Sequence, residues 1–278
     1  MRAMPNRPID VREKLSPREF VQEYVVPNKP VIVSDALDTW KARELWTPEY
    51  FQSLLGDLPV EVTRDGPDPE GRMPYSEFYA HLKAAETGPV PQNGSIQHLR
   101  YMRMRELEPM EPVREHWTRP YFMPERGYCI PFAPLGMDPT RERYPGFGLF
   151  ISPRGGASKL HVDGIRSNAI VCQVYGSKRC YVLAPDQESQ LPDRDSRRAR
   201  QVKHLEFEPP SFGRAKMVEF DLLPGETLFV PHLWFHEVHT TRTSISLTYN
   251  FVHGSEALGF AWWFLKSSFT NPNSHSVG

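Results

Sequence analysis

The stretch "SKLHVDGIRSNAIVCQVYGSKRCYVLAP", residues 158–185, sets the reading of this chain. Its apolar runs are short and rich in Val, Ile and Tyr. They stop at Asp163-Gly164, at Gly176-Ser177 and at Pro185, so they predict strands rather than helix turns. Working outward, "GFGLFISP" (146–153) precedes it. "MVEFDLLPG", "ETLFVP", "WFHEVHT" and "SISLTYNFV" follow between 217 and 252, each closed by Gly, Pro or a polar break. "SKLHVD", "NAIVCQVYG" and "KRCYVLAP" count as three separate strands in this reading. Strands at such short, even spacing predict a barrel or a two-sheet sandwich.

The first half reads differently. "SPREFVQEYV" (16–25) and "TPEYFQSLLG" (47–56) each open with a hydroxyl residue followed by Pro, and "PYSEFYAHLKAAETG" (74–88) ends, like the second, in Gly. These are helix boundaries. "KPVIVSDAL" and "LPVEVTRD" predict strands between them. Residues 1–15 read as a flexible N-terminus. Residues 16–253 read as a single domain, with helical and flanking β elements over 16–145 and the β core over 146–253; a C-terminal helix and tail occupy 254–278. Residues 89–145 give no clear element. The segment 187–215, with Arg194, Arg197, Arg198 and Arg200, reads as a solvated loop. The tail "SEALGFAWWFLKSSF" predicts an amphipathic helix. Its Trp262, Trp263 and Phe264 either pack as core, the commoner fate of such a cluster, or form a small homodimer contact.

At 278 residues the chain fits one large domain or two small ones, with enough core to need no staples. A formal net charge of −1 implies neither nucleic acid nor a strongly acidic partner. Three cysteines without a CxxC pair argue against a disulfide scaffold or a thiolate zinc site. No run approaches 18 apolar residues and the N-terminus lacks a signal-peptide core, so the expected location is the cytoplasm, away from any membrane. The 28 prolines fit a sheet with ordered loops better than a helical bundle.

His161 and Asp163 are two apart, so on a strand they share a face. Alone, that pair is a weak signal, far more often a chance occurrence or surface ion pair than a metal site. His232, His236 and His239 lie some 70 residues later. His232 falls in a turn. His236 shares its strand face with Val238, taken as the interior one, whereas Glu237 and His239 take the other. His236 is therefore the expected partner of His161 and Asp163. Two imidazoles and a carboxylate leave three positions of an octahedral ion open, which suits a non-haem Fe(II) oxygenase better than a closed structural site. Lys178 is either a strand-start lysine in water or a cation for the far carboxylate of a keto acid chelating the metal.

In this combination the chain resembles the Jumonji-C branch of the Fe(II)- and 2-oxoglutarate-dependent oxygenases. Within it, the resemblance is to the cupin-like group typified by the asparaginyl hydroxylase factor inhibiting hypoxia-inducible factor. The residues that carry it are "FVQEYVVPNKPVIVSDALDTW", "HVD", "GSKRCYVLAPDQ", "LLPGETLFVPHLWFHEV" and "SISLTYNFV". The resemblance implies a double-stranded β-helix, with His161, Asp163 and His236 as iron ligands. It implies Lys178, Tyr101 and Ser158 at the far carboxylate of 2-oxoglutarate, Asn250 near its chelating end, and Asn168 or Ala169 as a second residue there. Arg242 is a less favoured anchor than Lys178. The implied reaction hydroxylates an unactivated C–H bond with O2, releasing succinate and CO2, most readily on a protein or peptide side chain. A small-molecule hydroxylase and a non-catalytic binding protein are the alternatives. Val252, where the hydroxylase has Trp, and the short C-terminus weaken any transfer of asparaginyl specificity. The lack of a histone-reading module, an aromatic cage or a nuclear-localisation run argues against a demethylase.

Overall fold

The Ser16 hydroxyl accepts from the Glu19 N–H at 3.3 Å while the Glu19 carboxylate accepts from the Ser16 N–H at 2.9 Å. This closed capping box starts helix α1 (Pro17–Phe20), which widens into a π turn over Val21–Val25. The computed structural model describes residues 7–63, 71–88, 98–101, 108–130, 148–191 and 215–270. Helix α2 (Ala42–Leu45) has no capping side chain and only four residues, which is why the sequence does not announce it. Thr47 caps α3 (Pro48–Leu55) through the Tyr50 N–H, and Gly56 ends it at a positive φ. Helix α4 (Tyr75–Thr87) buries Tyr75, Phe78 and Leu82.

Twelve strands are present among the described residues: β1 (Asp10–Arg12), β2 (Val31–Val33), β3 (Pro59–Thr63), β4 (Gly71–Pro74), β5 (His98–Tyr101), β6 (Tyr128–Ile130), β7 (Leu149–Ser152), β8 (Ala157–His161), β9 (Asn168–Leu183), β10 (Val218–Leu222), β11 (Thr227–Val230) and β12 (Phe235–His253). The sheet order is β1-β2-β11-β9-β12-β7-β5-β3-β4, with β10 added to β9, and β6 and β8 to β12. β9 and β12 pair antiparallel from Phe235↔Leu183 to Phe251↔Asn168, with shifts of register near Arg242 and Ile245. These two long strands run through both walls, and the architecture is the double-stranded β-helix.

Several sequence expectations change here. "NAIVCQVYG" and "KRCYVLAP" are one strand, because Gly176 bends the chain without breaking its pairing to β12. It sits at φ +68, and a Cβ there would fall 1.8 Å from the Thr243 carbonyl oxygen, so only glycine fits. "WFHEVHT" and "SISLTYNFV" likewise join. Residues 10–12, expected to be flexible, form β1 in parallel with β2, and Arg7 just before them bonds both carboxylate oxygens of Glu226 at 2.9 Å. A 3-10 helix covers Glu108–His116 inside the stretch that gave no clear element. The basic loop with Arg194, Arg197, Arg198 and Arg200 lies outside the described residues.

The main core packs the N-terminal helices onto the sheet. Phe20 meets Phe122 and Phe229 edge-on, each at 4.9 Å between ring centroids, which ties α1 to β11. The predicted C-terminal helix is α5 (Ala257–Thr270), but its aromatic cluster is not core. Trp262 is 70% exposed, and Leu258, Phe264 and Leu265 are exposed too. All three cysteines are free. No helix among the described residues is long and apolar enough to cross a membrane.

Candidate metal centre

β8 and β12 run antiparallel with His161 directly opposite His236. That register brings the two imidazoles to 4.2 Å between centroids. Asp163 stands just past the end of β8 on extended backbone. Its Oδ1 lies 3.8 Å from His161 Nε2 and its Oδ2 3.9 Å from His236 Nε2. The three ligand atoms all lie within 4.8 Å of one another. Each residue offers one ligand atom, and the three converge on a space one ion would occupy once the side chains close on it. No Lys or Arg neutralises Asp163 among the described residues.

The protonation state also fits a metal. Burial, and next the neighbouring His161, hold the His236 imidazolium well below its usual range. Its Nδ1 lies 3.2 Å from the Trp234 carbonyl oxygen, an acceptor only, so Nδ1 carries the hydrogen. Nε2 then presents its lone pair toward Asp163, as metal-bound histidines do. His236 is buried, whereas His161 and Asp163 are half-exposed, so the open side of the centre faces the mouth of the barrel.

Asn250 joins this group. Its amide donates to Asp163 Oδ2 at 2.9 Å and to the Ser167 hydroxyl at 3.2 Å, which fixes the carboxylate. Asn168 is turned elsewhere. It is fully buried, donates to Glu256 at 2.7 Å and accepts from the His232 N–H at 2.9 Å. Ala169, the alternative, is buried in the strand core.

Lys178 is buried, not in water. Its ammonium donates to the Ser246 hydroxyl at 2.6 Å and stands 5.9 Å over the Phe150 ring. Burial pushes its pKa down to about 8. A cation buried against one hydroxyl and one ring, with no carboxylate beside it among the described residues, favours an anion there. Arg242, the less favoured anchor, is exposed. Ser158 is exposed on β8 opposite Val238. The backbone of Tyr101 pairs with Leu149; its side chain lies outside the described residues. Ser246 is the residue that sequence reasoning missed. Ser244, Ser246, Thr248 and Asn250 alternate with Ile245, Leu247, Tyr249 and Phe251. Ser246 therefore shares its strand face with Asn250, a signal the period of two carries.

The other face of β12 is not the solvent face that the period implied. Glu237 is buried. It accepts from the Leu160 N–H at 3.1 Å, where the β8–β12 register shifts, and lies 2.6 Å from His239 Nε2. His239 therefore holds a buried carboxylate instead of standing free. His239→Ala is expected to lower stability by about 1–2 kcal/mol in urea unfolding while leaving metal binding within a few-fold. Loss of metal in that variant would move the third ligand from His236 to His239.

A double-stranded β-helix carrying two histidines and one aspartate on a single side is the architecture of a mononuclear metal enzyme scaffold. The chain belongs to the cupin-like domain family, whose pattern matches residues 17–257. Proteins similar to it include the 2-oxoglutarate and iron-dependent oxygenase JMJD4 of Gallus gallus, 22% identical over 93% of this chain and 63% of that protein. The Mus musculus JMJD4 is 25% identical over 89% and 61%. The arginine-specific demethylase JMJ20 of Arabidopsis thaliana is 23% identical over 90% and 58%. The chain thus spans about three fifths of the length of these curated relatives.

Proposed function

We propose that the chain is an Fe(II)- and 2-oxoglutarate-dependent dioxygenase that hydroxylates a C–H bond on a protein or peptide side chain. Fe(II), with 2-oxoglutarate and O2, supplies the oxidising power that places one oxygen atom on the substrate carbon and leaves succinate and CO2. His161, Asp163 and His236 would hold the metal from one side, leaving the side toward the mouth for co-substrates. Asn250 keeps the Asp163 carboxylate turned to the ion. Lys178, with Ser246, would grip the far carboxylate of the keto acid by a charge-assisted bond. Residues 16–253 form the catalytic unit in this reading.

The observation that carries it is the pairing of two features among the described residues: an imidazole–carboxylate–imidazole set with no competing Lys or Arg, and a buried ammonium with no carboxylate beside it. Neither a structural metal site nor a plain ion pair would need the second. The relatives named for iron, 2-oxoglutarate and arginine demethylation are consistent with a substrate presented as a side chain. Anaerobic addition of Fe(II) and then 2-oxoglutarate tests the reading. A weak visible charge-transfer band is expected only when both are present, and succinate should form once air is admitted. No band and no succinate would reject it. A peptide library screened for a mass gain of one oxygen then tests the substrate class.

A further inference from the structure

Two residues other than glycine adopt a left-handed backbone close to the metal ligands. Arg166, at φ +54, comes three after Asp163; Leu233, at φ +65, comes three before His236. Such a conformation costs about 1–2 kcal/mol outside glycine and persists only where the surroundings fix it. The two turns concerned, Gly164–Ser167 and Pro231–Trp234, are far apart in the chain, yet one cluster holds both.

Its centre is Glu256, in the short 3-10 turn that follows β12. One carboxylate oxygen accepts from the His253 N–H at 2.9 Å and from Asn168 Nδ2 at 2.7 Å. The other lies 2.7 Å from His232 Nδ1, a close charge contact whose angle is too poor for a hydrogen bond. Two lone pairs at that distance would repel, so Nδ1 carries the hydrogen and Nε2 is an acceptor. That matches Arg166, whose guanidinium stands 3.4 Å from Nε2 and has only hydrogens to offer. Asn168 completes the ring by accepting from the His232 backbone N–H at 2.9 Å. The His232 and Glu256 side chains are 14% and 11% exposed and Asn168 is fully buried, so water competes weakly for these bonds.

We infer that Glu256 is a positioning residue for the metal centre: through Asn168, and through His232, which in turn meets Arg166, it fixes the two strained turns that aim Asp163 and His236 at one point. It touches no ligand itself. The bland alternative, a carboxylate that merely caps the 3-10 turn, uses only the oxygen bonded to His253 and leaves the reach to His232 without purpose. The inference rests on the proposed metal centre and adds to it that the segment after β12 belongs to the centre's supporting shell.

The test is Co(II) binding to the full chain, followed by the visible absorption of the bound ion, with circular dichroism confirming that each protein is folded. Glu256→Ala is expected to weaken Co(II) binding roughly tenfold or more, the usual consequence of removing an outer partner of metal ligands. Glu256→Gln keeps the shape but cannot accept on both sides, and should fall between Ala and wild type. Affinity within twofold of wild type in Glu256→Ala overturns the inference; if that protein does not fold, the same result in Glu256→Gln does so. Co(II) binding that survives His161→Ala would instead overturn the metal centre, an outcome that no Glu256 variant can mimic.

Discussion

His161→Ala and Asp163→Ala are each expected to abolish 2-oxoglutarate turnover while the protein stays folded. Removing an outer partner of a metal ligand already costs roughly 10- to 100-fold in affinity or activity, so loss of one of three ligands should exceed that and take succinate formation below detection. Stability should scarcely change. The two side chains are 31% and 22% exposed at the barrel mouth, and neither fills the core. Removing Asp163 leaves Asn250 without one acceptor, but Ser167 still takes its amide. Thermal unfolding should therefore shift by no more than about 1 kcal/mol. Succinate assays and unfolding midpoints, measured side by side, check both halves. Wild-type turnover in either variant would remove that residue from the centre.

Lys178→Met should split binding from stability in opposite directions. A bond between an ion pair of this kind contributes about 1.5–3 kcal/mol, so the KM for 2-oxoglutarate should rise roughly 10- to 100-fold. In the ligand-free protein the same ammonium is a liability. Methionine fills a similar volume without a charge to desolvate, so the unfolding midpoint should rise. The pH dependence follows from the direction of the shift. Burial lowers the folded-state pKa from 10.5 to about 8, so between those values the unfolded chain holds a proton that the folded protein lacks. The penalty is full below pH 8 and vanishes above 10.5, so ligand-free stability should rise with pH across this window. Affinity for 2-oxoglutarate should fall over the same range, by no more than the same 10- to 100-fold, because the dianion needs the ammonium. Lys178→Met should lose both trends. A flat pH profile for wild type would place the anchor elsewhere.

The fold was legible where local rules and tertiary demands agree. The capped openings at Ser16 and Thr47 give helices because the same bonds operate in any context, and the apolar runs after 146 give strands. The errors fall where a tertiary partner overrules a local signal. Gly176 reads as a strand end, yet β12 carries the pairing past it. Asp10–Arg12 reads as a loose end because the strand it pairs with, β2, is distant in sequence. At the candidate centre, His161, Asp163 and His236 could be picked from strand faces and turn positions, and the structure brings those three together. Glu237 shows the limit of that reasoning. A period of two assigns a residue to a face but cannot say that the face is covered, here by β8. Asn168 was matched through resemblance, and its amide is taken by Glu256 and the His232 backbone. Ser246 was legible only through the strand face it shares with Asn250, and Glu256 escaped notice because a lone glutamate has no signature until its partners are known.

The small β1 strand has one more consequence. It is only three residues long and carries Asp10 and Arg12, which make it a poor template for another chain. Behind it stands β2, Val31–Val33, wholly buried and apolar. A protein trimmed to begin at Pro17 would lose β1 and the Arg7 clamp together, and would leave three valine and isoleucine residues with a bare row of backbone donors and acceptors. Such a protein is expected to self-associate with rising concentration in light scattering, where the full chain should not.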